Sequence, residues 1–359
     1  MLRAVRGLVI VCAATASVAL AGCRTKKEPA PTAKEAASAA SPAPPAESAA
    51  AAPPESAPAC APLRASTLTP FATCGTSVVK TPVPDIEDAT GSLAPFFERL
   101  AELERGGAER PVRIAMYGDS NLTSDFLPGH LRRVLQQRYG DAGHGWVSLS
   151  KPWGSYRHED VTHGGFWPMF KLFAPTTHPV HDRQYGFANM AAQSSEVGAA
   201  AWAGTTLDRK SKVGQRVSRF ELHYLKQPFG GSFTVQIDKK DVRTIETRSE
   251  AFEAGIETFD VDDGAHELRC VIRGDGRVRL FGASLDRSPL EEVGKPGIQV
   301  DSLGAGALNY QRMTWVANDT RRVQLARRNY DLVVIWLGMN VMFVPPNREW
   351  SKEVITELR

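Results

Sequence analysis

The run Val112–Tyr117 is apolar at nearly every position and stops abruptly at Gly118-Asp119-Ser120. A helical pattern begins at Asp125 and runs to Tyr139, with Leu127, Leu131, Val134 and Leu135 at helical spacing and Gly140 as its stop. That order reads as a buried strand, a tight turn and a helix start, with a serine hydroxyl at the bend. Open α/β sheets keep their ligands at the carboxyl ends of their strands. The free N–H groups of a helix N-terminus favour developing negative charge there. Ser120 is therefore a candidate nucleophile.

Composition narrows the class only a little. The chain has 359 residues, 42% apolar and 23% charged, which is ordinary for a globular protein of one large or two medium domains. A net charge of +3 supplies no basic stripe, so no nucleic-acid partner is expected. Five scattered cysteines make neither a disulfide scaffold nor a zinc ribbon.

The front end is distinct. Arg3 and Arg6 precede an apolar segment from Gly7 to Leu20. That segment is shorter than the ~20 residues a membrane-spanning helix needs, so 1–22 reads as a signal peptide. Leu20-Ala21-Gly22-Cys23 resembles a bacterial lipobox, which implies cleavage before Cys23 and a lipid anchor on its thiol. Arg24 in place of an aspartate points to outer-membrane sorting, so the expected location is the periplasmic face or surface of that membrane. Residues 23–64 are rich in Ala, Pro, Glu and Ser and lack the apolar content to bury a core, so they read as a disordered tether. Cys60 and Cys74 are either a small disulfide loop or two separate thiols.

Within the folded body, Ser92 can cap a helix from Leu93 to Glu104 that turns Phe96, Phe97, Leu100 and Leu103 to one face and ends at Gly106. Residues 141–214 read as long loops rich in Gly, His and aromatics, within a first segment of the folded body at 65–214. From 215 to 288 the pattern changes to short alternating runs: 220–225, 232–237, 257–261, 266–272 and 278–281. Gly- and Asp-rich turns separate them, and such spacing argues for an inserted antiparallel sandwich with Cys270 in its core. A parallel α/β pattern resumes over 289–359, with strands at 297–302 and 330–337, a helix over 309–328 and another from Ser351. A chain that stops inside a helix reads as C-terminally incomplete.

Three strand ends thus carry distinctive residues: Gly118-Asp119-Ser120, Gly304-Ala305-Gly306 and Gly338-Met339-Asn340. Acyl transfer needs a hydroxyl nucleophile and N–H donors for the oxyanion, and losing one donor typically costs about 10²–10³ in rate. On these residues the chain resembles the SGNH, or GDSL-type, hydrolases. The resemblance rests on the first and third blocks just named and on Asp301-Ser302-Leu303-Gly304 as the second. With the inserted sandwich, the order is similar to that of bacterial peptidoglycan and polysaccharide O-acetylesterases. It implies a flavodoxin-like three-layer α/β/α domain interrupted by a carbohydrate-binding-module-like sandwich. It also implies Ser120 as nucleophile and an oxyanion hole from Ser120 N–H, Asn340 and either Gly304 or Gly306. No metal or organic cofactor is implied. Asn121 stands where relatives often have histidine, and Val341 where aspartate is frequent.

The family's general base is a histidine in an Asp-x-x-His block, and none follows Asn340. A serine without a neighbouring base is a poor nucleophile. The base is expected beyond Arg359, with His178 and His181-Asp182 as the local substitute and also the nearest thing to a metal cluster, though a third ligand is lacking. The expected function is a serine esterase deacetylating an envelope glycan. An acetyltransferase on the same scaffold and a non-catalytic carbohydrate-binding lipoprotein are the alternatives.

Overall fold

The computed structural model describes residues 9–11, 86, 88, 90–151, 156–165, 167, 169–171, 181–287 and 296–340. The lipobox with Cys23, the tether, Cys60, Cys74, His178 and everything from Val341 lie outside the described residues.

The buried strand expected before the serine forms over Val112–Gly118. It sits inside a parallel sheet in the order Val9–Val11, Leu332–Trp336, Val112–Gly118, Ile298–Gly304. Its side chains alternate between two cores, as the period of a strand requires. Ile114 and Met116 join Phe96, Leu100 and Leu103 of helix Ala94–Arg105 and Leu135 and Tyr139 of helix Phe126–Tyr139. Ala115 and Tyr117 join Phe187, Leu303, Met313, Val316 and Ile335 in the other cluster. Each large aliphatic side chain buried this way contributes about 1.5–3 kcal/mol.

Two antiparallel sheets hold the other described strands. One runs in the order Lys240–Glu246, Ser232–Ile237, Glu267–Ile272, Ala200–Thr205, Val161–Gly165. The other runs Glu253–Gly264, Val217–Lys226, Val278–Asp286, Met190–Ser194, Met169–Lys171, with Gly145–Val147 also paired to Val278–Asp286. Phe233, Val235, Leu268 and Cys270 of the first share a single core with Phe220, Leu222, Leu280 and Leu285 of the second. Cys270 is fully buried, which pushes its thiol pKa up.

These sheets draw on more of the chain than 215–288. Five strands lie in 141–214, where the sequence reads as loops: Gly145–Val147, Val161–Gly165, Met169–Lys171, Met190–Ser194 and Ala200–Thr205. Their alanines and glycines have low intrinsic strand preference, and cross-strand pairing places them. Gly164 shows why: a Cβ there would come within 2.3 Å of the Trp202 ring on the neighbouring strand.

Three helices depart from their expected form. The first starts at Ala94, and Asp88, not Ser92, accepts from the N–H groups of Ser92 (2.8 Å) and Leu93 (2.9 Å). Gly106 ends it in the left-handed conformation, φ 76°. In Phe126–Tyr139, Leu127 and Val134 are exposed while Arg132 and Gln136 are buried, because that helix packs a polar face on the sheet. Gln136 donates to the carbonyls of Gly143 (2.7 Å) and Ile298 (3.1 Å). The helix expected over 309–328 is broken into Tyr310–Met313 and Asn318–Arg328, with Ala317 extended between them and its N–H donated to Arg183.

A charged seam joins the strand Ile298–Gly304 to the antiparallel part. Arg328, 1% exposed, reaches Asp301 (3.0 Å), Asp286 (3.2 Å) and the Gln299 side chain (3.4 Å). Asp301 also accepts from the Trp146 N–H at 2.9 Å and from the Tyr330 hydroxyl. Glu221 accepts from Arg327 at 2.6 Å and from His223 at 2.9 Å. Burial alone would raise the Glu221 carboxyl, but these donors and Arg328 pull it down to about 2. Burial lowers the His223 imidazole, with its bond to Glu221 opposing the shift.

Candidate active site

Strand register brings the three distinctive strand ends to one level of the sheet. Gly118 is paired with Gly304 on one side and with Trp336 on the other. Ser120 follows Gly118 by two residues, the segment Ala305-Gly306 follows Gly304, and Asn340 closes the turn after Trp336. Adjacent parallel strands ending together put their loops over one spot, the usual ligand position of such sheets.

The Ser120 turn is held by bonds among its own residues. Ser120–Leu122 is a single 3-10 turn. Asp119 is buried, and its Oδ1 accepts from the N–H (3.1 Å) and the side-chain amide (2.8 Å) of Asn121. Its Oδ2 is buried with no partner among the described residues. The carbonyl of Ser120 accepts from the N–H (3.4 Å) and the hydroxyl (2.9 Å) of Thr123. These bonds leave the Ser120 side chain exposed.

Leu122 explains the two glycines that face each other across the register. It is 1% exposed and fills the notch that their missing side chains leave. A Cβ on Gly118 would lie 2.4 Å from Leu122 Cδ1, and one on Gly304 would lie 2.5 Å from the Leu122 carbonyl carbon. Glycine is needed at both for close approach. Gly304 is buried, whereas Gly306 is half-buried in the turn that follows. The Ala305 N–H is donated to Gly118 at 2.9 Å. Asn340 is half-buried, and its Nδ2 donates to the Leu308 carbonyl at 3.0 Å. An amide NH₂ carries two donors, so one is left without a partner among the described residues.

Of the local substitute for a base, His181 and Asp182 lie among the described residues and His178 does not. His181 is exposed, and its neighbour Asp182 is gripped by Arg279 through Nη1 (2.7 Å) and Nη2 (2.9 Å). A carboxylate held this way is committed to the guanidinium and does not orient an imidazole.

The sequence reading missed a second group of side chains behind the turn. Asp125, His144 and His158 are all buried, with candidate ligand atoms within 4.8 Å of one another. His144 Nε2 lies 3.0 Å from His158 Nδ1, and His158 Nδ1 lies 3.9 Å from Asp125. Burial pushes the His158 imidazole down to about 4, with Asp125 opposing and Arg132 adding to the shift. Both oxygens of Asp125 already face Arg132, at 3.0 and 3.1 Å. A dication here would sit against a guanidinium in a buried site, so the arrangement fits a hydrogen-bonded pair of neutral imidazoles better than a metal centre. No local pattern marks it, because His144 and His158 lie in the segment read as loop.

No family model matches the chain, and no curated protein does. Among solved structures, a peptidoglycan O-acetylesterase, captured "in action, 5 min", aligns with TM-score 0.55 and 18% identity, over 74% of this chain and 66% of its own. The chain thus shares that protein's fold while spanning less than two thirds of its length. A CBM36-1 domain of a multidomain xylanase from the hindgut metagenome of Trinervitermes trinervoides aligns at TM-score 0.23 and 9% identity, over 37% of this chain and 94% of that one. A CBM35 from Paenibacillus barcinonensis aligns at TM-score 0.23 and 9% identity, over 36% of this chain and 94% of that one.

Proposed function

We propose that the protein is a serine esterase of the SGNH type, on a three-layer α/β/α domain, that removes O-acetyl groups from a cell-envelope polysaccharide or peptidoglycan. The observation that carries the reading is the register that brings the Ser120 turn, the Gly304–Gly306 segment and the Asn340 turn to one end of the sheet. The shared fold with a peptidoglycan O-acetylesterase supports the substrate class.

The Ser120 hydroxyl attacks the acetyl carbonyl, and its proton passes to a general base. The oxygen that becomes negative is met by the Ser120 N–H, the Asn340 amide and one glycine N–H. Gly306 suits that third role better than Gly304, whose place is taken up by packing against Leu122. Collapse of the tetrahedral intermediate releases the glycan hydroxyl and leaves acetyl on Ser120, and water then releases acetate. Preorganised donors of this kind each contribute about 10²–10³ in rate.

The full-length protein should hydrolyse p-nitrophenyl acetate, and Ser120→Ala should abolish that with no change in the unfolding midpoint. Equal turnover by the two proteins would sink the reading. We also propose that Cys23 carries a lipid anchor. Cleavage before it would remove Val9–Val11, the strand paired with Leu332–Trp336 on that side among the described residues. Cys23→Ala should move the protein from the membrane fraction to the soluble one, and an unchanged partition refutes the anchor.

A further inference from the structure

Asp125 stands at the start of helix Phe126–Tyr139, but it does not behave as a cap. A capping aspartate takes an extended backbone and accepts from an N–H of the first turn. Asp125 has φ 56° and ψ 12°, left-handed for a non-glycine residue, and its side chain makes no cap hydrogen bond. The carboxylate is turned instead toward Arg132. Oδ2 accepts from Nη1 at 3.0 Å and Oδ1 from Nη2 at 3.1 Å, and both side chains have zero exposure. The backbone N–H of Glu159 adds a third bond to Oδ2 at 3.1 Å.

Arg132 continues the connection. Its Nε and Nη2 donate to the carbonyl of Val300 at 3.1 and 3.0 Å. Val300 belongs to the strand Ile298–Gly304, which leads directly into the Gly304–Gly306 segment. At the other end, the Asp125 N–H donates to the Leu122 carbonyl at 3.3 Å, and Leu122 is the last residue of the nucleophile turn. An unbroken chain of bonds therefore runs from the turn that carries Ser120 to the strand that carries the candidate oxyanion glycines.

We infer that the buried Asp125–Arg132 pair positions Ser120, by fixing the nucleophile turn to the strand Ile298–Gly304. The inference rests on the reading of Ser120 as nucleophile. Stability alone does not call for such a link, since apolar residues of similar volume often replace buried ion pairs without loss. What the pair supplies is direction. The planar guanidinium holds a carboxylate with one edge and a carbonyl with the other, which an ammonium cannot do. A displacement of about 1 Å at a reacting group costs on the order of 10² in rate, so a link that fixes this spacing acts on turnover.

The test uses Asp125→Asn and Arg132→Lys in the full-length protein, each checked for folding by near-UV circular dichroism. Both should lower kcat for p-nitrophenyl acetate by about 10- to 100-fold with KM within about twofold of wild type. Both should also speed amide hydrogen exchange at 120–123 while leaving exchange in the strand Val217–Lys226 unchanged. Arg132→Lys keeps the charge, so rescue by it would mean that charge rather than geometry matters and would overturn the inference. A folded variant with wild-type kcat, or with unchanged exchange at the turn, would overturn it as well. If the single variants do not fold, the shape-matched pair Asp125→Leu with Arg132→Met takes their place, under the same two criteria. If Ser120→Ala is as active as wild type, the esterase reading fails, and the exchange measurement still decides whether the pair holds the turn.

Discussion

The strand Ile298–Gly304 ends in two different kinds of environment. Toward its middle, Gln299 and Asp301 enter a seam dense with buried charge around Arg328. At its carboxyl end, Gly304 joins Gly118 in a notch defined by missing atoms, into which Leu122 packs. The seam is a set of directional, long-range bonds between residues far apart in sequence. The notch is a steric fit of Leu122 against Gly118 of its own motif and Gly304 of the neighbouring strand. A charged seam fails when one partner is removed, whereas a notch fails when an atom is added.

The largest effect should come from breaking the seam. Arg328→Met leaves Asp301, Asp286 and Glu221 without their shared cation, and breaking a buried pair from one side costs about 3–5 kcal/mol. Urea unfolding should show a loss of that size, and a loss under ~1 kcal/mol would mean that the seam is hydrated. The next effect is acid sensitivity behind the notch. Burial lowers His158 and His163 to about 4, with Lys151 adding to the shift of His163. Because both folded-state values lie below the unfolded value of about 6.5, their stability is complete above that pH and is lost as pH falls toward 4. Each histidine should contribute a slope of about 1.4 kcal/mol per pH unit in that window. Unfolding midpoints measured at intervals from pH 7 to 4 should fall steadily, and a flat profile refutes the buried neutral state.

Adding a methyl group tests the notch. Gly304→Ala meets the Leu122 backbone and should cost about 1–3 kcal/mol together with much of the activity. Gly118→Ala meets the Leu122 side chain, which can yield more easily, so it should be the milder of the two. Reversal of that order in thermal melts would show that the turn, not the side chain, gives way. The smallest effect belongs to the control pair Arg219–Asp260, at 2.5 Å with side chains 40% and 67% exposed. Arg219→Met should shift stability by less than about 1 kcal/mol, since solvent screens exposed pairs. A loss comparable to that of Arg328→Met would erase the distinction between seam and surface.

The Ser120 turn was legible because its causes are local. An apolar run, two small polar residues and a helix start specify a strand, a bend and an exposed hydroxyl within a dozen positions. The sandwich strands 232–237 and 267–272 were legible for the same reason, since alternation toward one buried face shows directly in sequence. Lys240–Glu246 was not, because nearly all its side chains are exposed and it exists through pairing with Ser232–Ile237. The helix Phe126–Tyr139 was found, but its buried face was misjudged. Leucine and valine at helical spacing suggested an apolar face, while Arg132 and Gln136 are buried because backbone carbonyls of another strand await them.

The sequence by itself determined the serine at a strand end, the glycines and the asparagine after later strands, and the change from parallel to antiparallel pattern. Each is written in short-range periodicity and turn chemistry. Only the tertiary structure decided that Gly118, Gly304 and Trp336 share one level of the sheet, that Gly304 makes room for Leu122, and that Asp125 and Arg132 tie turn to strand. Those depend on strand register and on buried polar partners distant along the chain, and a local pattern carries no record of either.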